Sequence, residues 1–174
     1  TVGVEFIVNS TFSSTQSESS TASLTGGGFV VAWRDNGGQD TNGSGIIAQR
    51  FNADGSTAGS EFVVNTFVSS TQYEPSVTGL ASGGFVVTWT DTNSNDGAGY
   101  GTFGQVYAAN GSAVGTEFQA NTHITGNQYT GDVASLAGGG FVVTWIDDSG
   151  LDSYGTGIFA QRFDASGNKT GDEF

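Results

Sequence analysis

Cysteine is absent from the sequence, and proline and histidine occur once each. Without cysteine the chain can form no disulfide and no thiolate metal site, and it has no thiol nucleophile. This absence does not settle the cellular compartment, because cysteine-free proteins occur both in the cytosol and outside the cell. Helix signals are also missing, and no apolar run reaches the roughly 18 residues that a membrane span needs. We therefore expect no membrane insertion.

Basic residues are scarce as well. Four lysines and arginines stand against seventeen acidic residues, which gives a formal net charge of −13. Phosphate backbones and anionic membrane surfaces repel such a chain, so the charge predicts no nucleic-acid partner. The negative charge is compatible with binding of divalent cations.

What the sequence does contain is a period of 56 residues that runs through it without insertion or deletion. The strings GGFVVAW at 27–33 and GGFVVTW at 83–89 and 139–145 show it most clearly. A fixed period of this length is typical of repeat architectures. The pattern predicts one repeat domain over 1–174, with copies at 3–58, 59–114 and 115–170 and the start of a fourth copy at 171–174.

Within each copy the apolar residues alternate with a period of two, which indicates strands. The segment FVVTW at 85–89 is apolar on both faces apart from Thr88, as expected for a strand that neighbours cover on both sides. About four such strands fit into one copy, and turn pairs such as Asp-Gly and Asn-Gly separate them. A unit of this size cannot bury both faces alone, so the copies must stack.

These features predict an all-β fold of three 56-residue, four-stranded repeats that pack as β-propeller-like blades. A β-trefoil and a linear array of small sheets are the alternatives. Three blades are too few to close a ring. We therefore expect the chain either to pair with further copies of itself, head to tail or as a ring, or to be an excerpt from a longer array.

Every copy carries a Gly-rich loop between its third and fourth predicted strands, and each loop keeps two aspartates five residues apart. Carboxylates, Asn side chains and backbone carbonyls on such a loop are the ligands that calcium prefers. The spacing is not that of an EF-hand. The alternative is a structural role without a metal, in which these aspartates cap turns in an exposed loop. The predicted metal ligands are Asp35, Asp40, Asp91, Asp96, Asp147 and Asp152.

Two tyrosines in these loops, Tyr100 and Tyr154, are the aromatic residues best placed to contact a ligand. The tryptophans of the three copies end doubly apolar strands, so we assign them to the core. A catalytic carboxylate is expected once, whereas Glu5 and its equivalents return in every copy. Those glutamates are therefore interpreted as structural hydrogen-bond acceptors.

The combined pattern is G-x-E-F-x-V-N, then Gln, GGFVVTW, Asp and finally A-Q-R-F-x-A-D-G. It resembles tandem repeats of large secreted bacterial proteins, the calcium-associated adhesins and hemolysin-type surface proteins. The resemblance implies an extracellular or cell-surface location, a calcium-rich setting and a role in adhesion. It carries over no catalytic residue.

The leading hypothesis from the sequence is a secreted, non-catalytic structural or adhesive module that associates with itself and is stabilised by calcium. The alternative is a carbohydrate-binding lectin, in which each repeat contributes one shallow site to a glycan. Because the acidic residues are repeated and none is singled out, we do not expect an enzyme.

Overall fold

The computed structural model of the chain describes residues 4–69, 71–92 and 95–174, and these form eleven strands and no helix. The first eight strands are β1 (Gln16–Ser23), β2 (Phe29–Asp35), β3 (Gly45–Phe51), β4 (Phe62–Val63), β5 (Gln72–Gly79), β6 (Phe85–Asp91), β7 (Gly101–Tyr107) and β8 (Ala113–Gln119). The last three are β9 (Gln128–Ser135), β10 (Phe141–Asp147) and β11 (Gly157–Phe163).

The strands form three antiparallel sheets in which neighbours in sequence are neighbours in space. Blade 1 is β1–β4, blade 2 is β5–β8 and blade 3 is β9–β11. Phe174 adds a fourth segment to blade 3, because its backbone N–H and C=O both bond to Ala160, at 3.0 and 2.8 Å. The innermost strands β1, β5 and β9 contact one another in turn. The arrangement is a β-propeller, which confirms the predicted fold and removes the trefoil and the linear array.

The sheets are offset from the repeat limits that the sequence suggests. The fourth strand of blade 1 lies at Phe62–Val63, beyond residue 58, so it comes from the opening of the next copy. Each blade therefore borrows its outer strand from the following copy, which ties consecutive copies together through backbone hydrogen bonds.

Consecutive blades pack face to face through apolar side chains. We call the side of a blade that meets the following blade its forward face, and the opposite side its rear face. The forward face of blade 1 meets the rear face of blade 2 in one buried cluster, and the forward face of blade 2 meets blade 3 in a second. The side chains of the first contact are Val30, Ala32, Ile46 and Ala48 against Phe85, Val87, Trp89, Phe103 and Tyr107.

The two faces of the FVVTW strand therefore meet two different neighbours. In β6, Val87 and Trp89 pack on blade 1, whereas Val86 packs on blade 3. Burial of one such side chain contributes about 1.5–3 kcal/mol. The requirement for cover on both sides explains why the apolar string returns in every copy.

The repeated glutamates accept hydrogen bonds, as the sequence predicts, and two of them join one blade to the next. Glu117 of blade 2 accepts the backbone N–H of Thr66, 2.7 Å away, and Glu173 accepts that of Thr122 at 2.6 Å. Glu61 accepts the N–H of Ser10 in the same way. Burial raises the pKa of the Glu117 carboxyl. These contacts lie at the outer strands, far from the propeller axis.

Glycines before each apolar string let the chain pass close to a neighbouring backbone. A Cβ on Gly84 would lie 2.1 Å from the carbonyl oxygen of Tyr107, and equivalent clashes face Gly28 and Gly140. The preceding Gly83 has a φ of +89°, which glycine adopts without strain. No described residue belongs to a helix that is long and apolar enough to cross a membrane.

Replacing Gly84 by alanine should lower the free energy of unfolding by about 1–3 kcal/mol, because the new methyl group overlaps a backbone carbonyl that cannot move freely. The matched control is Gly138→Ala, where a Cβ meets nothing within 4 Å. Urea unfolding of both variants gives the comparison. Equal stability of the two variants would contradict the close approach.

Candidate functional site

The start of each innermost strand lies beside the loop that carries the paired aspartates. Gln16 pairs with Asp35, and Gln72 pairs with Asp91 at the equivalent place in blade 2. Because β1, β5 and β9 contact one another, their first residues lie together at one end of the propeller axis. This end is where side chains from different blades can meet.

The innermost strands of blades 1 and 2 are bulged just after this end, between Ser17 and Ser20 and between Tyr73 and Ser76. At the bulges Glu18 has a φ of 55° and Glu74 a φ of 53°. Residues other than glycine rarely adopt positive φ, and each such residue costs of the order of 1–3 kcal/mol. Bulges of this kind often re-aim a side chain beside a functional site.

Glu18 connects the first two blades through its carboxylate. Oε1 accepts a hydrogen bond from Arg34 Nη1 at 3.0 Å, and Oε2 accepts one from the backbone N–H of Glu74 at 2.7 Å. Arg34 also donates from Nε to the Ser44 hydroxyl, 3.1 Å away. Both side chains of the ion pair keep part of their surface in solvent, 26% for Arg34 and 33% for Glu18. The pair is held in place and still reachable.

Tyrosines complete this arrangement. The ring of Tyr73 meets that of Tyr100 edge to face, with centroids 6.4 Å apart, and the guanidinium of Arg34 lies 6.0 Å from the Tyr73 centroid. Burial raises the pKa of Tyr73 to about 12, and the charges of Glu74, Tyr100, Tyr129 and Glu18 add to the shift. We call Glu18, Arg34, Tyr73, Glu74 and Tyr100 the inner-strand cluster.

The chemistry of this cluster is mixed. Aromatic rings offer apolar surface, a carboxylate accepts hydrogen bonds, and a guanidinium donates several in a fixed plane. A small number of polar groups beside aromatic surface is the usual composition of a ligand site. The combination suits a neutral ligand that carries both hydroxyl groups and C–H faces.

The first aspartate of each loop is tied to its own innermost strand. Asp35, Asp91 and Asp147 are buried, and each accepts a hydrogen bond from a glutamine Nε2, at 2.8, 2.7 and 3.0 Å respectively. The donors are Gln16, Gln72 and Gln128. These carboxylates hold the loop against the sheet.

The second aspartate of each loop lies elsewhere. Asp40 and Asp96 accept hydrogen bonds from the amides of Asn65 and Asn121, at 3.3 and 3.1 Å, whereas Asp152 is exposed and accepts the N–H of Tyr154. In the part of the chain that the structure describes, no three His, Cys, Asp or Glu side chains converge on a point that could hold a metal ion. Calcium binding by these six aspartates stays a prediction.

Of the two tyrosines predicted to bind a ligand, the structure brings Tyr100 into the inner-strand cluster. Tyr154 is 92% exposed in the loop of blade 3. Glu18, Arg34, Tyr73 and Glu74 are functional candidates that the sequence reading missed. A signal was present for Arg34, because the other copies carry Thr90 and Ile146 at its position.

Comparison with known proteins finds solved structures that share the fold of this chain. No protein-family model and no curated protein matches the sequence. Among solved structures, a protein of unknown function from Dyadobacter fermentans superposes with a TM-score of 0.66 at 10% identity, over 91% of this chain and 54% of its own.

Two enzymes superpose in the same way. An endo-arabinase from Bacteroides thetaiotaomicron gives a TM-score of 0.57 at 15% identity, over 90% of this chain and 59% of its own. An α-L-arabinofuranosidase from Fusarium graminearum gives 0.61 at 9% identity, over 90% and 49%. This chain thus spans about half the length of the structures that it matches, and at these identities the likeness shows the fold.

These findings correct three predictions. The enzymes that share the fold are β-propellers of the glycoside hydrolase type, so the resemblance to calcium-associated adhesins and hemolysin-type surface proteins is wrong. The same finding overturns the non-catalytic adhesive module and the expectation that the chain is not an enzyme. The error has a physical reason: the repeated residues from which the family was inferred are those that build the blades. The predicted extracellular location stays a prediction.

The raised pKa of Tyr73 predicts a pH dependence of stability. In the unfolded chain a tyrosine ionises near pH 10, whereas Tyr73 ionises at about 12 in the folded chain. Its contribution to stability is therefore complete below pH 10 and is lost as the pH rises towards 12. Urea unfolding between these pH values should show a smaller loss for Tyr73→Phe than for the unchanged chain.

Tyr154→Phe is the control and should follow the unchanged chain, because the Tyr73 phenol is still present. Tyr107, whose pKa burial also raises, is common to all three proteins and cancels in the comparison. Parallel curves for Tyr73→Phe and the unchanged chain would contradict the raised pKa of Tyr73.

Proposed function

We propose that the chain is a carbohydrate-binding β-propeller module that takes a neutral glycan at the inner-strand cluster. The observation that carries this proposal is the pair of tyrosine rings, Tyr73 and Tyr100, set beside the Glu18–Arg34 ion pair at one end of the axis. A sugar presents C–H groups on its ring faces and hydroxyl groups at its rim. The cluster offers surfaces for both.

The contacts account for orientation as well as attraction. Tyr100 is partly exposed, at 39%, so its ring can cover a sugar face. Glu18 and Arg34 lie within hydrogen-bond reach of each other and can exchange part of that contact for sugar hydroxyls, since a charged group bonds strongly to a neutral hydroxyl. The site combines side chains of blades 1 and 2, so it differs from the predicted lectin with one shallow site in every repeat.

The net charge of the chain restricts which glycans can bind to it. With a net charge of −13 the chain repels polyanions, so uronic-acid polymers and sulfated glycans are poor ligands. A neutral polysaccharide, such as an arabinan or a xylan, meets no such barrier. Structures that share this fold include an endo-arabinase and an endo-1,4-β-xylanase, which supports a neutral pentose polymer as the first ligand to try.

Replacing Tyr73 or Tyr100 by alanine should weaken glycan binding about tenfold, since an aromatic contact of this kind contributes about 0.5–1.5 kcal/mol beyond its buried area. Isothermal titration calorimetry with neutral arabino- and xylo-oligosaccharides measures the change. Tyr154→Ala is the matched control, because it removes a tyrosine outside the cluster and should bind as the unchanged chain does.

A wild-type chain that binds no neutral glycan on an array, with or without calcium, would contradict the proposal. Equal loss of affinity in all three tyrosine variants would place the site elsewhere.

We infer glycoside hydrolysis as the second candidate function, because Glu18 and Glu74 occupy equivalent positions on neighbouring innermost strands. Glycosidases use two carboxyl groups on opposite sides of the scissile bond, one as an acid and one as a base or nucleophile. Glu18 accepts hydrogen bonds from the backbone N–H of Glu74 and the guanidinium of Arg34, contacts that would orient it as the base or nucleophile. Glu74 would then supply the acid.

Under this second candidate, Glu18→Gln and Glu74→Gln should each reduce the release of reducing ends from arabinan or xylan by at least about a hundredfold, because each removes one of the two proton-transfer groups. Binding measured by calorimetry should persist. Asp54→Asn, an exposed carboxylate in a turn of blade 1, is the control. Glycan binding without any release of reducing ends would exclude hydrolysis and leave the binding function intact.

A further inference from the structure

A groove of about 540 Å³ opens on the outer side of the junction between blades 2 and 3. One wall is the segment that follows β8 in blade 2, and the other is formed by the loop and the outer segment of blade 3. Both walls belong to blades that the structure describes, so the groove is a feature of a junction inside the chain. We call it the rim groove, and the residues that line it include Thr122, His123, Leu151, Lys169, Asp172 and Glu173.

Part of this lining belongs to the repeat, and part is specific to this junction. Glu173 and Thr122 correspond to Glu117 and Thr66, and the hydrogen bond between them recurs with the residues. Four other lining residues occur in neither earlier copy. At the positions 56 residues before His123, Leu151, Lys169 and Asp172 stand Phe67, Asn95, Ala113 and Thr116. The side chains that give this groove its chemistry are therefore absent from the junction of blades 1 and 2.

The ammonium of Lys169 is bound to the opposite wall of the groove. Its Nζ donates to the backbone carbonyl of Asn121 at 3.1 Å and to the Thr122 hydroxyl at 2.8 Å. A lysine ammonium has three N–H donors, and these contacts use two of them. Because the side chain is already ordered, a ligand that accepts from the third donor does not bear the entropic cost of fixing a free lysine.

Hydrogen-bond acceptors line the same groove. Asp172 is exposed and carries a carboxylate into the lining. Glu173 Oε2 accepts the backbone N–H of Thr122 at 2.6 Å, which holds this second carboxylate in the wall. An ionised carboxylate has about four lone-pair sites, so one such contact leaves Glu173 able to accept further hydrogen bonds. The rim groove thus places a fixed donor among acceptors.

Two side chains add apolar surface to these polar groups. Leu151 is 49% exposed in the loop of blade 3. His123 is partly buried, and its ring combines an apolar body with a polar tip. Together they give the groove a surface on which C–H groups of a ligand can pack.

The charges of the lining indicate the class of ligand. One ammonium stands against two carboxylates, so a polyanion is repelled by Asp172 and Glu173 as well as attracted by Lys169. A metal ion is disfavoured too, since among the described residues no three His, Cys, Asp or Glu side chains converge to hold one. A hydroxyl group both donates and accepts, so neighbouring hydroxyls of a sugar can bond to Lys169 and Asp172 at the same time.

We propose that the rim groove is a second binding site for a neutral glycan, separate from the inner-strand cluster. This inference rests on the proposed function, because it assigns the same class of ligand to another part of the surface. The volume of the groove lies within the range of about 300–1,000 Å³ that is usual for ligand sites. A glycan chain that reaches both sites binds more tightly than one that fills either alone, because its second contact is intramolecular.

Nuclear magnetic resonance of the isotope-labelled chain, titrated with neutral arabino- and xylo-oligosaccharides, tests the proposal. We expect two separate groups of backbone amide shifts, one around Tyr100 and one around Thr122 and Gly171. Lys169→Ala should weaken binding at the rim groove about tenfold, since a hydrogen bond from a charged donor is lost, and should leave the group around Tyr100 unchanged. Arg162→Ala is the matched control, because it removes the same charge from an exposed side chain of blade 3 that does not line the groove.

Asp172→Asn is a second variant that leaves the contacts of Lys169 in place. It should also weaken binding at the rim groove, because an amide has one acceptor oxygen where a carboxylate has two. Shifts confined to the inner-strand cluster, or a rim affinity that neither variant changes, would overturn this inference and leave the proposed function standing. Shifts confined to the rim groove would support the inference and overturn the placement of the first site at the axis. An absence of shifts at both places would overturn both.

Discussion

The fold depends on one constraint: the central strand of every blade is apolar on both faces and must be covered on both sides. In β6 the rear face packs on blade 1 and the forward face on blade 3, so the strand is buried only because both neighbours are present. No single blade can satisfy this requirement. Stacking around an axis satisfies it for blade 2, and it also brings the innermost strands β1, β5 and β9 together. The candidate site is a consequence of that meeting.

Residues that recur in every copy and residues that do not have different roles in the molecule. Residues that return in every copy build the blade: the apolar string fills the junctions, Glu117 and its equivalents cap the preceding outer strand, and the buried Asp–Gln pairs fasten the loops. Two residues that break the repeat, Arg34 and Tyr100, lie at one end of the axis, where they meet Glu18 and Tyr73. The bulges that hold Glu18 and Glu74 at positive φ lie at this same end, so the backbone strain of the two residues is located there.

The sequence predicted the architecture because that information is local and repeated. Alternation over residues 85–89 and the glycine pair before them specify a covered strand and its turn, and both are as predicted. The site could not be predicted in the same way, because the contact between Glu18 and Glu74 depends on how blade 1 meets blade 2. Reading the repeats as an adhesin signature gave blade-building residues a functional meaning that they do not have. The six loop aspartates were selected because carboxylates on a Gly-rich loop suit calcium, and that assignment stays a prediction.

The central claim is that the inner-strand cluster at the end of the axis forms the ligand site. A crystal structure of the chain soaked with short neutral oligosaccharides tests it most directly. The account predicts a sugar ring against Tyr73 or Tyr100, with a hydroxyl group bonded to Glu18 or Arg34. A sugar bound instead at the exposed loop around Tyr154, with the axis end empty, would contradict it.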